Sequence, residues 1–97
     1  MPEKKEENTK RVHIIASGYV QGVGFRIRTV AWARQLQITG WVKNLVDGTV
    51  EIVAEGEKSA VEKFILKLKH GSPSRIDTCH IEPEIPTGEF IGFEIRY

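Results

Sequence analysis

The order of hydrophobic periodicities along this chain predicts an α+β fold, an antiparallel sheet with two helices on one face. Stretches of period two, suited to strands, exchange with stretches in which apolar residues recur every three or four positions, suited to helices. An Asp-Gly pair, Asp47-Gly48, joins two of the strand-like runs directly and marks a hairpin.

The first strand runs from Val12 to Val20, where Val12, Ile14, Ala16 and Val20 fall on one side. Glycines at Gly22 and Gly24 break the pattern. Phe25, Thr29, Ala33 and Leu36 then lie four, four and three apart, which stacks them on one helical face. Trp32 falls off that stripe, and its environment is left open. Trp41–Leu45 and Thr49–Glu55 form the hairpin. In its second arm Val50, Ile52 and Ala54 point one way, and Glu51 and Glu55 the other.

A second helix runs to about His70, with Val61, Phe64, Ile65 and Leu68 on one face. Ser59 and Glu62 have the spacing of a capping box, although a start one turn earlier fits equally. Gly71 and Pro73 supply a stop. A strand is expected at about Ile76–Glu82, then a loop bracketed by Pro83 and Pro86, then alternation of Ile91, Phe93, Ile95 and Tyr97. Strand, helix, strand, strand, helix, strand, with a short strand to finish, is the split βαβ or ferredoxin-like plan, βαββαβ. Residues 1–10 are charged and carry no buried-face pattern, so they read as a solvated tail before one domain over 11–97.

Bulk properties narrow the function. At 97 residues, with 40% apolar and 28% charged side chains, the chain is one soluble globular domain. A net charge of +1 is not the footprint of a nucleic-acid binder. No run approaches membrane-spanning length, and the polar start lacks the apolar core of a secretory signal. The one cysteine, Cys79, sits in a strand-like segment and reads as filler; with no second cysteine the expected compartment is the cytoplasm. His13, His70 and His80 are scattered and suggest no metal-ligand cluster.

The chemistry concentrates in two segments. Gly18-Tyr19-Val20-Gln21-Gly22-Val23-Gly24-Phe25-Arg26 forms the turn from first strand to first helix. Glycines there free the backbone so that successive amides can converge on one anion, helped by the positive end of the following helix. Arg26 adds a permanent charge with paired donors at the edge. Spacing alone leaves equally open a glycine-rich corner beside a surface arginine. The segment lacks the lysine and hydroxyl of a P-loop and the downstream acid of a dinucleotide fold. The second segment, Gly40-Trp41-Val42-Lys43-Asn44 with Asp47-Gly48-Thr49-Val50 and Gly56, ends a strand on Asn44. Read from spacing alone, Asn44 is more often a turn-shaping residue than a functional one.

Taken together, these segments resemble the paired signature of the acylphosphatase family, at that family's separation and within its element order. The likeness continues through Gly71-Ser72-Pro73 and Phe93-Glu94-Ile95-Arg96. It implies hydrolysis of the carboxyl–phosphate anhydride of a small acyl phosphate, with no cofactor and no metal. The residues it implies are a backbone-amide cradle of Val20, Gln21, Gly22, Val23, Gly24 and Phe25, a phosphate-gripping Arg26, and Asn44 to orient the attacking water. Gln37 departs from the family pattern, which usually has a helix-ending glycine there. A non-glycine residue held at positive φ costs on the order of 1 kcal/mol, a matter of stability rather than catalysis.

Two rivals remain. An RNA-binding module on the same element order needs exposed aromatics on its central strands, and Thr49–Glu55 has none. An acylphosphatase-like carrier module, of the kind heading large carbamoyl-transferring proteins, would use the cradle for delivery; the chain's end at Tyr97 without zinc-binding cysteines favours the free enzyme. The expected partner is therefore a small acyl phosphate, not nucleic acid or membrane, and the expected state is a monomer.

Overall fold

The computed structural model describes residues 8–22, 24–71 and 75–97. Its elements are β1 (Thr9–Tyr19), α1 (Phe25–Gln35), β2 (Thr39–Asn44), β3 (Val50–Glu57), α2 (Lys58–His70), β4 (Arg75–Glu84) and β5 (Phe93–Arg96). The sheet order is β4-β1-β3-β2-β5, which is the ferredoxin-like order with a fifth strand added at one edge.

β1 pairs antiparallel with both β3 and β4, and β2 antiparallel with β3. β5 runs parallel to β2, so the sheet is mixed rather than wholly antiparallel. The chain leaves β4 at one edge and reaches β5 at the other by crossing near the start of β1, the end away from the β1–α1 turn. β1 itself begins at Thr9, with Thr9 and Lys10 opposite Glu57 and Gly56, so the sheet claims the last part of the expected tail. Residues 1–7 lie outside the described residues, as do Ser72 and Pro73.

Alternation fixes the faces. Val12, Ile14 and Ala16 turn inward opposite Ala54, Ile52 and Val50 and are buried under the helices. Arg11, His13 and Ile15 take the open face. From α1 come Phe25, Thr29, Val30 and Ala33, and from α2 Val61, Phe64 and Leu68. The Thr29 hydroxyl donates to Phe25 O at 2.8 Å, which satisfies a polar group at 0% exposure. Phe64 meets Phe93 of β5 edge to face, ring centres 5.9 Å apart, tying the late strand to the core. Burying a side chain such as Phe64 contributes about 1.5–3 kcal/mol. A Cβ on Gly40 would sit 1.9 Å from Val53 O, so β2 can press on β3 there only as glycine.

Several local expectations are corrected. Pro83 is not in a loop but within β4, and β4 is an edge strand where a missing N–H breaks no second ladder. The hairpin loop is longer than a two-residue turn: Leu45 N–H donates to Thr49 O at 2.9 Å and Gly48 N–H to Leu45 O at 3.2 Å. Of Asp47 and Gly48 only Gly48 has positive φ; Asp47 instead accepts from Thr49 through its carboxylate. α2 starts at Lys58 with Glu57 as N-cap and no side-chain cap, so Ser59 and Glu62 form no capping box. Ile91 and Tyr97 are exposed, which leaves Phe93 buried and Ile95 packed at the core's margin. Trp32 also packs at that margin, its ring beside Gly71 at the end of α2.

Candidate active site

β1 delivers the chain to the turn, and α1 takes it away. Gly22 (φ +79°) and Gly24 (φ +77°) both hold left-handed conformations that a side chain would strain. Gly24 is the N-cap of α1 and donates no side-chain cap, while Arg28 N–H makes the first helical bond, to Gly24 O at 3.1 Å. The amides of the preceding turn are thus left to the loop side, at the positive end of the helix dipole. No acidic residue stands in the first turn to compete with an anion. Val20 and Phe25 bury their side chains at 1% exposure each, so both anchor the loop and offer only backbone outward. Val23 lies outside the described residues.

Arg26 is half-buried, its guanidinium carbon 5.3 Å from the centre of the Tyr97 ring. Such stacking contributes about 0.5–1 kcal/mol at an exposed site and restricts where the guanidinium points. Asn44 ends β2 opposite Val50. Its Oδ1 is buried and has no hydrogen-bond partner among the described residues. A buried acceptor left unpaired costs about 1–3 kcal/mol, and a fold keeps one where it has a task.

Gln21 brings the two segments together: its Nε2 donates to Leu45 O and to Thr49 O, each at 2.8 Å. Two further neighbours were not read from the sequence. Arg28 places Nη1 3.4 Å from where a Cβ on Gly24 would stand, so a second guanidinium flanks the loop. Its spacing, four residues after Gly24 on a helix, is the signal that points to it. Tyr97 carries no such signal, because its approach to Arg26 depends on β5 lying beside α1.

Other titratable groups lie elsewhere. His13 shares a 2.7 Å hydrogen bond with Glu51, and His80 one with Glu82, all on the open face. Burial pushes the Cys79 thiol up from its ordinary value, which makes it a poor nucleophile at neutral pH. Among the described residues no three His, Cys, Asp or Glu side chains are grouped to hold a metal, and no helix is long and apolar enough to cross a membrane. A hollow of about 510 Å³, lined by Arg34, Ile38, Thr39 and Phe93 among others, lies at the far end of α1 and does not include the cradle.

Comparisons with known proteins identify the family. The acylphosphatase family profile matches residues 12–95. The acylphosphatase of Syntrophotalea carbinolica is 48% identical over 88 residues, covering 90% of this chain and 96% of that protein. The structure of an acylphosphatase from Coxiella burnetii superposes with a TM-score of 0.88 at 37% identity, covering 96% of this chain and 98% of the other. Full-length HypF, crystallised with phosphate and nucleotide, contains a similar unit: TM-score 0.84 at 31% identity, over 92% of this chain and 12% of that one. The chain belongs to the acylphosphatase family, the enzymes that hydrolyse acyl phosphates.

Proposed function

We propose that the hydrolysis proceeds by in-line attack of an Asn44-held water on a phosphoryl group seated in the loop from Val20 to Phe25 and gripped by Arg26. The buried Oδ1 of Asn44, without a partner among the described residues, carries this reading, since it offers a free acceptor next to Leu45, which Gln21 of the turn contacts. The water oxygen bonds to phosphorus as the phosphorus–acyl oxygen bond breaks, and the carboxylate departs with the bonding electrons. The water's proton passes to a phosphate oxygen, so no side-chain base is needed.

No general acid is needed either. A carboxylate leaving group has a conjugate-acid pKa like that of a glutamate, about 4.3, and departs unprotonated at neutral pH. Phosphoryl transfer is largely a matter of position and charge, which amide dipoles and a guanidinium supply without a metal. The grip is on phosphate, so the substrate class is small acyl phosphates with varied acyl groups. The lone half-buried cysteine favours a reducing compartment, the cytoplasm, and a monomer is the default state of a single small domain.

Arg26→Ala and Asn44→Ala separate the roles. Arg26→Ala is expected to weaken inhibition by inorganic phosphate and abolish turnover together. Asn44→Ala is expected to abolish turnover while phosphate inhibition stays within about threefold of wild type. Equal loss of phosphate affinity in both variants contradicts the division.

A further inference from the structure

The mechanism gives the Gln21 backbone a place in the cradle and leaves its side chain without a role. Yet both N–H groups of that carboxamide are committed, to Leu45 O and to Thr49 O at 2.8 Å each. These acceptors bracket the base of the hairpin turn. Leu45 directly follows Asn44, and Thr49 O also accepts the Leu45 N–H at 2.9 Å. The partners are 24 and 28 residues from Gln21 in sequence, so this contact spans the two halves of the site. Beyond it, Val46, Asp47 and Gly48 are exposed.

We propose that Gln21 is a positioning residue: its side chain is the strut that fixes Asn44 relative to the phosphate cradle. The inference rests on the cradle-and-water reading above and adds a coupling to it. Phosphate seated on the cradle steadies the loop and, through the carboxamide, the hairpin base. In-line attack tolerates little displacement; a misplacement of about 1 Å can cost about 100-fold. Loss of the strut should therefore fall on kcat and leave phosphate binding nearly intact.

Gln21→Met keeps the side chain's length and removes both donors. Gln21→Glu keeps its shape and sets a carboxylate against two carbonyl oxygens. At about pH 7.5 both variants are expected to lose about 10–100-fold in kcat on benzoyl phosphate, with the phosphate inhibition constant within about threefold of wild type. Facing two acceptors, the introduced Glu binds its proton more tightly than usual, and once protonated it donates again. Relative to wild type at the same pH, Gln21→Glu is expected to regain activity several-fold towards about pH 5, whereas Gln21→Met stays flat. Wild-type kcat in Gln21→Met, or parallel losses of kcat and phosphate affinity in both variants with no pH recovery, overturns the proposal.

Should the variants fail to fold, amide exchange in the wild type decides. Inorganic phosphate is expected to slow exchange at Leu45 at least threefold, together with the cradle amides. Unchanged exchange at Leu45 while the cradle amides respond refutes the strut. A wild type without turnover whose Leu45 amide is still protected by phosphate refutes the hydrolytic reading and keeps the strut.

Discussion

Replacing Gln37 with glycine should make this protein more stable. Gln37 has φ +60° and is the non-glycine residue with positive φ among the described residues. It occupies the position just past the end of α1 in a Schellman arrangement: Ile38 N–H donates to Ala33 O at 2.8 Å and Gln37 N–H to Arg34 O at 3.2 Å. Ile38, 2% exposed, locks that geometry by burying its side chain, so the backbone cannot relax to relieve Gln37. Left-handed backbone costs a residue with a Cβ about 1–2 kcal/mol, and glycine removes that cost. Glycine also gains freedom in the unfolded chain, which takes back about 0.5–1 kcal/mol. The net expectation is a gain of about 0.5–1 kcal/mol, or about 2–8 °C in Tm for a domain of this size.

The assay is thermal and urea unfolding followed by circular dichroism for wild type, Gln37→Gly and Gln37→Ala. Alanine keeps the Cβ and therefore the strain, so it should fall within about 0.5 kcal/mol of wild type. Turnover should be unchanged in both, because α1, about 16 Å long at 1.5 Å per residue, separates Gln37 from the cradle. A Gln37→Gly variant no more stable than wild type, or an alanine variant equal to the glycine one, refutes the strain argument.

Other expectations test the frame around the site. Glu55, 5% exposed, accepts the Thr87 and Gly88 amides at 3.3 and 2.7 Å beside Arg11, and so pins the β4–β5 crossing. Glu55→Ala should cost about 1–3 kcal/mol in urea unfolding without altering turnover, since that network sits at the end opposite the cradle. Asp47 and Glu89 are held below their ordinary values of 3.8 and 4.5, Asp47 chiefly by the Thr49 hydroxyl and Glu89 by the Thr87 hydroxyl and then Arg11. A lowered carboxylate stabilises the fold above its ordinary value, and that stability is lost as pH falls through the folded-state value. The urea midpoint should therefore hold between about pH 7 and pH 5 and fall below about pH 4.5, with a shallower fall in Glu89→Gln.

Much of the frame was legible because burial imposes strict periods. Val12, Ile14 and Ala16 fall under the helices as their alternation requires, and Val61, Phe64 and Leu68 share one helix face. What escaped depended on neighbours rather than on period. Pro83 reads as a loop residue until β4 is known to be an edge, and β5 reads as one more antiparallel strand until its crossing places it along β2. Val30 is buried though it lies off the predicted stripe, because α1 packs against β5 as well as against β2. Asp47-Gly48 gave the hairpin but not its loop, since the Asp47 carboxylate, not a second left-handed residue, closes the turn.

The site divides the same way. Glycines mark its turn, yet spacing alone leaves a plain glycine-rich corner equally open, and Gln37 reveals its own strain by standing where the family resemblance expects a glycine. Asn44 is ambiguous in isolation; only the fold leaves its Oδ1 buried without a partner among the described residues, next to Leu45, which the Gln21 side chain contacts. The Gln21 side chain and Tyr97 gain their meaning from distances between elements, which no local pattern encodes, whereas Arg28 is marked by its spacing from Gly24.

The water-holding role of Asn44 is tested most directly by steady-state hydrolysis of benzoyl phosphate, followed by its ultraviolet absorbance, for wild type and Asn44→Ala in the presence of a strong chelator. Wild-type turnover is expected to be undiminished by the chelator, and to fall by a factor of about 100 or more in a folded Asn44→Ala protein that inorganic phosphate still occupies. Turnover in Asn44→Ala within a few-fold of wild type would contradict the claim that Asn44 holds the attacking water, and chelator-sensitive turnover would contradict a metal-free mechanism.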